Sequence, residues 1–198
     1  MLGLTDNMVT DPNAAVSAVL GRFHQQEPGV SINLQIGAPN DVERAVIEGR
    51  ANIGVVSVHH QLPGLNYQPL HQELSQLYYA AGHPLAGLDS ERLTPELLAE
   101  HDFIMPGYAH SAALKERFPQ LRVAATSYQV EGVATLILSG QYIGFLPVHY
   151  AAQWVEKGLM QVILPDLLQY QVPFSAITRR DAQPNVLRDA FLNALVES

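Results

Sequence analysis

Polar and aromatic side chains that could meet a small ligand cluster at a few points along this chain. Asp6, Asn7 and Thr10 follow a first strand-like segment, Pro39 and Asn40 a second, and Ser57 and His59 a third. Further on come Gly107, Tyr108 and His110, then Thr126, Ser127 and Tyr128, and finally Phe145. Hydroxyls, amides and rings dominate this set, with little fixed positive charge. Such a lining suits a small polar or aromatic ligand, including a carboxylate held by backbone N–H groups and helix dipoles. Several members also have plainer roles. Asn40 and Thr126 read equally well as helix caps, and Tyr108 and Phe145 as packing residues. Asp6 would disfavour an anion unless it turns away.

Signals for bond-making chemistry are sparse. There is no cysteine, so thiolate ligands, disulfides and a cysteine nucleophile are excluded. No Gly-x-Ser-x-Gly elbow and no glycine-rich phosphate loop is present. The eight histidines show neither His-x-His nor His-x3-His spacing. His59 and His60 are adjacent, so on extended backbone they point to opposite faces. We therefore expect no metal, no cofactor and no catalysis.

The chain has 198 residues, of which 47% are hydrophobic and 15% charged, as in a folded chain with one core or two small ones. Its net charge of −8 argues against this segment holding nucleic acid, since its 11 Lys and Arg are scattered. Arg179-Arg180, the one adjacent basic pair, is followed at once by Asp181. No stretch approaches the roughly 20 apolar residues of a membrane helix. The start, Met1-Leu2-Gly3-Leu4-Thr5-Asp6, lacks the basic-then-apolar pattern of a signal peptide.

The elements that would position these residues alternate between strand and helix. Leu2 to Thr5 reads as a strand and Asn7 to Asp11 as a polar loop. Asp11-Pro12 reads as a helix start, with Val16, Val19, Leu20 and Phe23 on one face and Pro28-Gly29 as the stop. Val30, Ile32, Leu34 and Ile36 alternate with polar residues, which predicts a half-buried strand. Asn40, with Glu43 three residues on, predicts a second helix with a capping-box start, and Ile53 to Val56 a buried strand. Strand–helix–strand–helix–strand over 1–58 implies a parallel sheet.

The pattern then restarts. Strands are expected at Leu77 to Ala81, Phe103 to Met105, Val123 to Ala125, Ile143 to Leu146 and Val172 to Thr178. Helices are expected after Thr94, over Ser111 to Phe118, from Thr126 to Gly140 and over Val148 to Lys157. A last amphipathic helix carries Val186, Leu187, Ala190, Phe191, Ala194 and Leu195.

Five segments, in order, resemble the regulatory domain of LysR-type transcriptional regulators. They are Arg22-Phe23 with Glu27-Pro28-Gly29-Val30, then Val46-Ile47-Glu48-Gly49-Arg50, His83-Pro84-Leu85-Ala86, Leu93 to Ile104, and Gly140 to Pro147. The chain departs from that pattern at Ala51-Asn52, where Leu-Asp is usual, and at Tyr142, where a second glycine is usual.

The resemblance implies an α/β, two-lobed fold like that of type 2 periplasmic binding proteins, each lobe a mostly parallel sheet flanked by helices. One lobe would comprise 1–74 plus 172–198 and the other 75–171. A small-molecule effector, a carboxylate or aromatic metabolite, would lie in the cleft between lobes against Asn7, Thr10, Pro39, Asn40, Ser57, His59, Gly107, Tyr108, Ser127, Tyr128 and Phe145. A cytoplasmic homodimer is implied, in which about Ala14–Ile36 packs on the partner's Leu121–Leu138, with higher oligomers in the full protein. DNA binding would belong to a winged helix-turn-helix domain ahead of this segment. The alternatives are a periplasmic solute-binding protein of the same fold and, further off, an enzyme built on it.

Overall fold

The computed structural model describes residues 1–89, 92–107 and 111–198, without the side chains of 111–113. Two compact units divide the chain: Met1–Glu73 with Val172–Ser198, and Leu74–Gln171.

In the first unit, β1 (Leu2–Thr5) is central, parallel to β2 (Leu34–Gly37) on one side and β3 (Ile53–Ser57) on the other. The C-terminal strand β9 (Gln169–Arg179) runs antiparallel to β3, with Val55 opposite Ala176. Helix α1 (Val16–Gln26) links β1 to β2, and α2 (Pro39–Ile47) links β2 to β3. Gly3 and Gly54, paired across β1 and β3, both lie under Val42 of α2. A Cβ on either would come within 2.9 Å of the Val42 side chain, so these glycines let the helix settle on the sheet. Val42, Ala45, Val46, Val56, Leu65 and Ile177 form the core beneath α2. Phe23 of α1 meets Phe191 of α7 (Val186–Val196) edge-to-face, with ring centroids 5.2 Å apart.

The second unit has β5 (Asp102–Pro106) parallel to both β6 (Arg122–Ser127) and β7 (Tyr142–Pro147). The long strand β4 (Leu65–Ala80) is antiparallel to β7 and to β8 (Met160–Ile163). Its helices are α3 (Pro95–Leu98), α4 (Ser111–Arg117), α5 (Val130–Leu138) and α6 (Val148–Val155). The sheet is buried on both faces, and the alternation sorts them. Leu77, Tyr79, Phe103, Ile143 and Phe145 join one core cluster, while Tyr78, Ala80, Ile104, Leu146 and Ile137 join the other. Unbroken apolar runs such as Phe103-Ile104-Met105 follow from that double burial. Strands β4 and β9 contribute residues to both units.

The structure corrects several expectations. Helix α1 begins at Val16, because Asp11 instead closes a turn, its Oδ1 accepting from the Asn13 N–H at 2.9 Å. Met8–Thr10 is a short 3-10 turn. Asn40 does not cap α2: the N-cap is Ala38, Pro39 is the first helical residue, and Asn40 lies inside the helix. Glu43, rather than reaching back in a capping box, accepts from the Tyr67 hydroxyl at 3.1 Å. Thr126 belongs to β6, and α5 is opened by Gln129. The alternating segment is strand only over Leu34–Gly37, and its Leu34 and Ile36 are 49% and 58% exposed. On α7 the buried residues are Phe191, Leu192 and Leu195, while Val186, Leu187 and Ala190 are exposed. Of the two departures from the regulator pattern, Ala51 is buried, and Tyr142 is half-buried at the start of β7, packed on the α5-side core.

Candidate functional site

In the first unit the carboxyl ends of β1, β2 and β3 share one end of the sheet, as their register shows: Thr5 pairs with Gly37, and Leu4 with Val55. In parallel α/β sheets this is the end at which ligands bind. Asn7 stands just past β1 in the left-handed region, at φ 62°, which asparagine tolerates better than other side chains. Its Nδ2 donates to Glu73 Oε2 at 3.0 Å, so the amide is anchored by a buried carboxylate. Thr10 is exposed and donates its hydroxyl to the Asn7 carbonyl at 3.0 Å. Beside them, Asp11 Oδ2 lies 2.7 Å from His71 Nε2, and the His71 ring stacks on Phe174 with centroids 5.0 Å apart.

Ser57 is the last residue of β3 and is buried. Its Oγ lies 3.1 Å from His59 Nε2. Burial, aided by the neighbouring His60, lowers the His59 pKa to about 4, so the imidazole is neutral at pH 7. Pro39 is buried at the start of α2, and Asn40 beside it is exposed. Sequence reasoning passed over Thr5. That residue ends β1 with its hydroxyl buried and without a hydrogen-bond partner among the described residues. Its signal was present: a hydroxyl residue closing a strand otherwise made of leucine and glycine.

In the second unit, Gly107 follows β5 and donates its N–H to the Ser127 carbonyl at 2.6 Å. A Cβ at Gly107 would come within 2.7 Å of the Tyr128 ring, so a larger residue there would have to displace that ring. Tyr128 itself is 63% exposed. The Ser127 hydroxyl donates to the Gln129 carbonyl at 2.8 Å and accepts from the Gln129 N–H at 3.4 Å, forming a tight turn ahead of α5. These three residues therefore form one local group. Phe145 does not join it: at 4% exposure its ring packs on Phe103, Phe118 and Tyr170, with centroids 5.0–5.9 Å away. It is a core residue. Tyr108 and His110 lie outside the described residues.

The helix starts differ in their capping. Helices α1, α2, α5 and α6 begin without a side-chain hydrogen bond at the N-cap. By contrast, Thr94 caps α3 and Asn185 caps α7. Among the helices whose N-cap is described, those without a side-chain cap follow β1, β2, β6 and β7.

The family model of the LysR substrate binding domain matches residues 8–198. The chain belongs to the LysR substrate-binding domain family. Over all of its 198 residues this LysR domain is 36% identical to the HTH-type transcriptional activator BauR of Pseudomonas aeruginosa. It spans 65% of the length of BauR. A second relative, the probable HTH-type transcriptional regulator LrrA of Synechococcus elongatus, is 25% identical over 156 residues, 47% of its length.

Solved structures share the fold. The effector-binding domain of QuiR, in complex with shikimate, superposes with a TM-score of 0.81 at 13% identity, covering 99% of this chain and 94% of that one. The regulatory domain of CcmR from Synechocystis, in complex with 2-PG, gives 0.76 at 20% identity, with 99% and 94% covered. The fold is thus the α/β, periplasmic-binding-protein-like fold of LysR effector-binding domains. No helix among the described residues is long and apolar enough to cross a membrane.

Proposed function

We propose that this chain is the effector-binding and dimerisation domain of a cytoplasmic LysR-type transcriptional regulator, with no catalytic activity of its own. The observation that carries the reading is the family match over residues 8–198, set beside the regulators BauR and LrrA. DNA contact is assigned to a winged helix-turn-helix domain of the full protein, in keeping with this segment's net charge of −8.

The two units, Met1–Glu73 with Val172–Ser198 and Leu74–Gln171, serve as the lobes. The effector meets Thr5, Asn7, Thr10, Pro39, Asn40, Ser57 and His59 on the first, and Gly107, Tyr108, Ser127 and Tyr128 on the second. It is a small carboxylate or hydroxylated acid. Neutral donors at the strand ends suit it, and the shikimate bound by QuiR is of that class. A neutral His59 offers a hydrogen bond rather than a charge. Effector binding acts by favouring one arrangement of the regulator over another, which requires unequal affinity for the two.

A homodimer is supported by exposed apolar side chains on edge strands. Leu34 and Ile36 are 49% and 58% exposed on β2, at the edge of the first unit's sheet, and Ile32 just ahead of that strand is 39% exposed. Val123 of β6 and Leu138 of α5 are 41% and 39% exposed on the second unit. Bare apolar edges invite pairing. A thermal-shift screen of small carboxylates, hydroxy acids and amino acids tests the effector reading: a ligand at a hundredfold excess over Kd stabilises the domain by about 2.7 kcal/mol. A screen in which no member of these classes shifts the Tm counts against it.

A further inference from the structure

The opposite end of the first unit's sheet carries a cavity that the effector reading does not use. It holds about 190 Å³ and lies where β1 and β3 begin, with Leu2 and Ile53 among its lining residues. Phe23 and Phe191, packed edge-to-face, form an aromatic wall, and Leu187 lies at its rim, 39% exposed. A second, more polar cavity of about 250 Å³ adjoins it, sharing Asn52, Asn185 and Arg188 as lining residues. Arg179 lines that cavity beside Gly49, and among the described residues no Asp or Glu lines either one.

Arg188 sits where the two cavities meet. Its side chain is 13% exposed and is held by Asp189 at 2.7 and 2.8 Å and by the Gln183 carbonyl at 3.1 Å. A guanidinium has five N–H donors, so this anchoring fixes the plane of the group without exhausting it. A dry aromatic-lined space of about 150 Å³ is enough to hold benzene. In a chain with 19 acidic and 11 basic residues, two cavities bordered by Arg179 and by Arg188, whose partner Asp189 is not among the lining residues, favour an anion.

We propose that these adjoining cavities form a second small-molecule site, for an aromatic carboxylate whose ring enters between Phe23, Phe191 and Leu187 and whose carboxylate meets Arg188. The site lies at the amino ends of β1 and β3, whereas the effector residues follow their carboxyl ends. Four residues of β1 separate the two, about 10 Å at ~3.3 Å per strand residue.

Benzoate and its neutral analogue benzamide, titrated into the 198-residue chain and followed by backbone amide NMR, test the proposal. Benzoate is expected to give saturable shifts at Phe23, Leu187 and Phe191. Leu187→Trp, a change at an exposed position, should fill the cavity and abolish them. Arg188→Gln should weaken benzoate about tenfold while leaving benzamide unchanged, and Ser127→Ala should change neither. Circular dichroism establishes that each variant is folded. Three results would overturn the site: no saturable shifts up to the solubility of benzoate, full affinity in Leu187→Trp, or shifts that Ser127→Ala removes. Equal benzoate affinity in Arg188→Gln would overturn the carboxylate assignment.

Discussion

Asn7 donates from its side-chain amide to the buried carboxylate of Glu73, 66 residues away, while its own backbone sits in the left-handed region. The bond ties the turn after β1 to the long strand β4, and it fixes an amide that would otherwise swing. Asn7 is thus a structural residue as well as a ligand candidate.

Asn7→Ala should therefore lower stability before any effector is added. It leaves Glu73 without one of its donors and puts alanine at a positive φ, a loss of about 1–3 kcal/mol by urea denaturation. Asn7→Gly relieves the backbone cost alone and should fall between the two. Equal stability of all three proteins would contradict the anchoring role.

Thr5 should behave the other way. Its buried hydroxyl is unpaired among the described residues, so Thr5→Val, which keeps the shape, should leave stability unchanged or raise it slightly. Effector affinity should drop in the same variant, because we propose that this hydroxyl meets the effector. Denaturation and ligand titration on one sample separate the two effects. A destabilised Thr5→Val would show that the hydroxyl is already satisfied.

Helix α5 tolerates a glycine at 132 for a local reason. A Cβ there would overlap the Ser127 hydroxyl, which already holds the Gln129 turn. Gly132→Ala should make the Ser127 hydroxyl turn away and give up the Gln129 turn, a cost of at most about 1 kcal/mol that offsets alanine's better helix propensity. Pairing it with Ser127→Gly should recover part of that loss.

Two histidines set a pH dependence. His83 is buried, and its Nδ1 accepts from the Leu85 N–H at 3.2 Å, a bond that only the unprotonated nitrogen can make. Burial, then the neighbouring His101, lower its pKa to about 4, and His59 is lowered to about 4 by burial and His60. A depressed histidine pKa means that the unfolded chain takes up protons first. Stability from both groups is whole above the ordinary value of 6.5 and declines as pH falls from there toward 4. Thermal melts across that range should show Tm falling, with a shallower slope in His83→Gln.

Much of this architecture could be read directly from the residues. The order β1-α1-β2-α2-β3 follows from runs such as Ile53-Gly54-Val55-Val56, whose burial on both faces leaves no polar interruption. What stayed hidden depended on distant partners. Asp11-Pro12 has the chemistry of a helix start, but Asp11 is taken up by its own turn and by His71, 60 positions on. The first half of β4, from Leu65 through Glu73, mixes Asn, Gln, His and a proline, and nothing local marks it as strand. Asn40 and Thr126 have the chemistry of caps, yet Ala38 and Gln129 take those positions, neither with a side-chain hydrogen bond to its helix. Phe145 was read as a possible ligand contact, and only the packing of Phe103, Phe118 and Tyr170 around it shows otherwise.

The exposed edge strand β2 gives the dimer a direct test. Leu34→Asp with Ile36→Asp changes two half-exposed residues, so the fold should survive. Sedimentation should then show the wild-type chain as a dimer and the double variant as a monomer. A monomeric wild-type chain, or a variant that still dimerises, would remove the edge strand from the interface.

The central claim is that the strand-end residues hold an effector. Calorimetric titration of the best ligand from the carboxylate screen, into wild-type and Ser127→Ala chains, tests it most directly. The expected result is one site per chain, with affinity about tenfold weaker in Ser127→Ala and a melting temperature without ligand lowered only slightly by loss of the exposed Gln129 turn. Identical affinity in Ser127→Ala and in Thr5→Val would place the effector elsewhere and contradict the account.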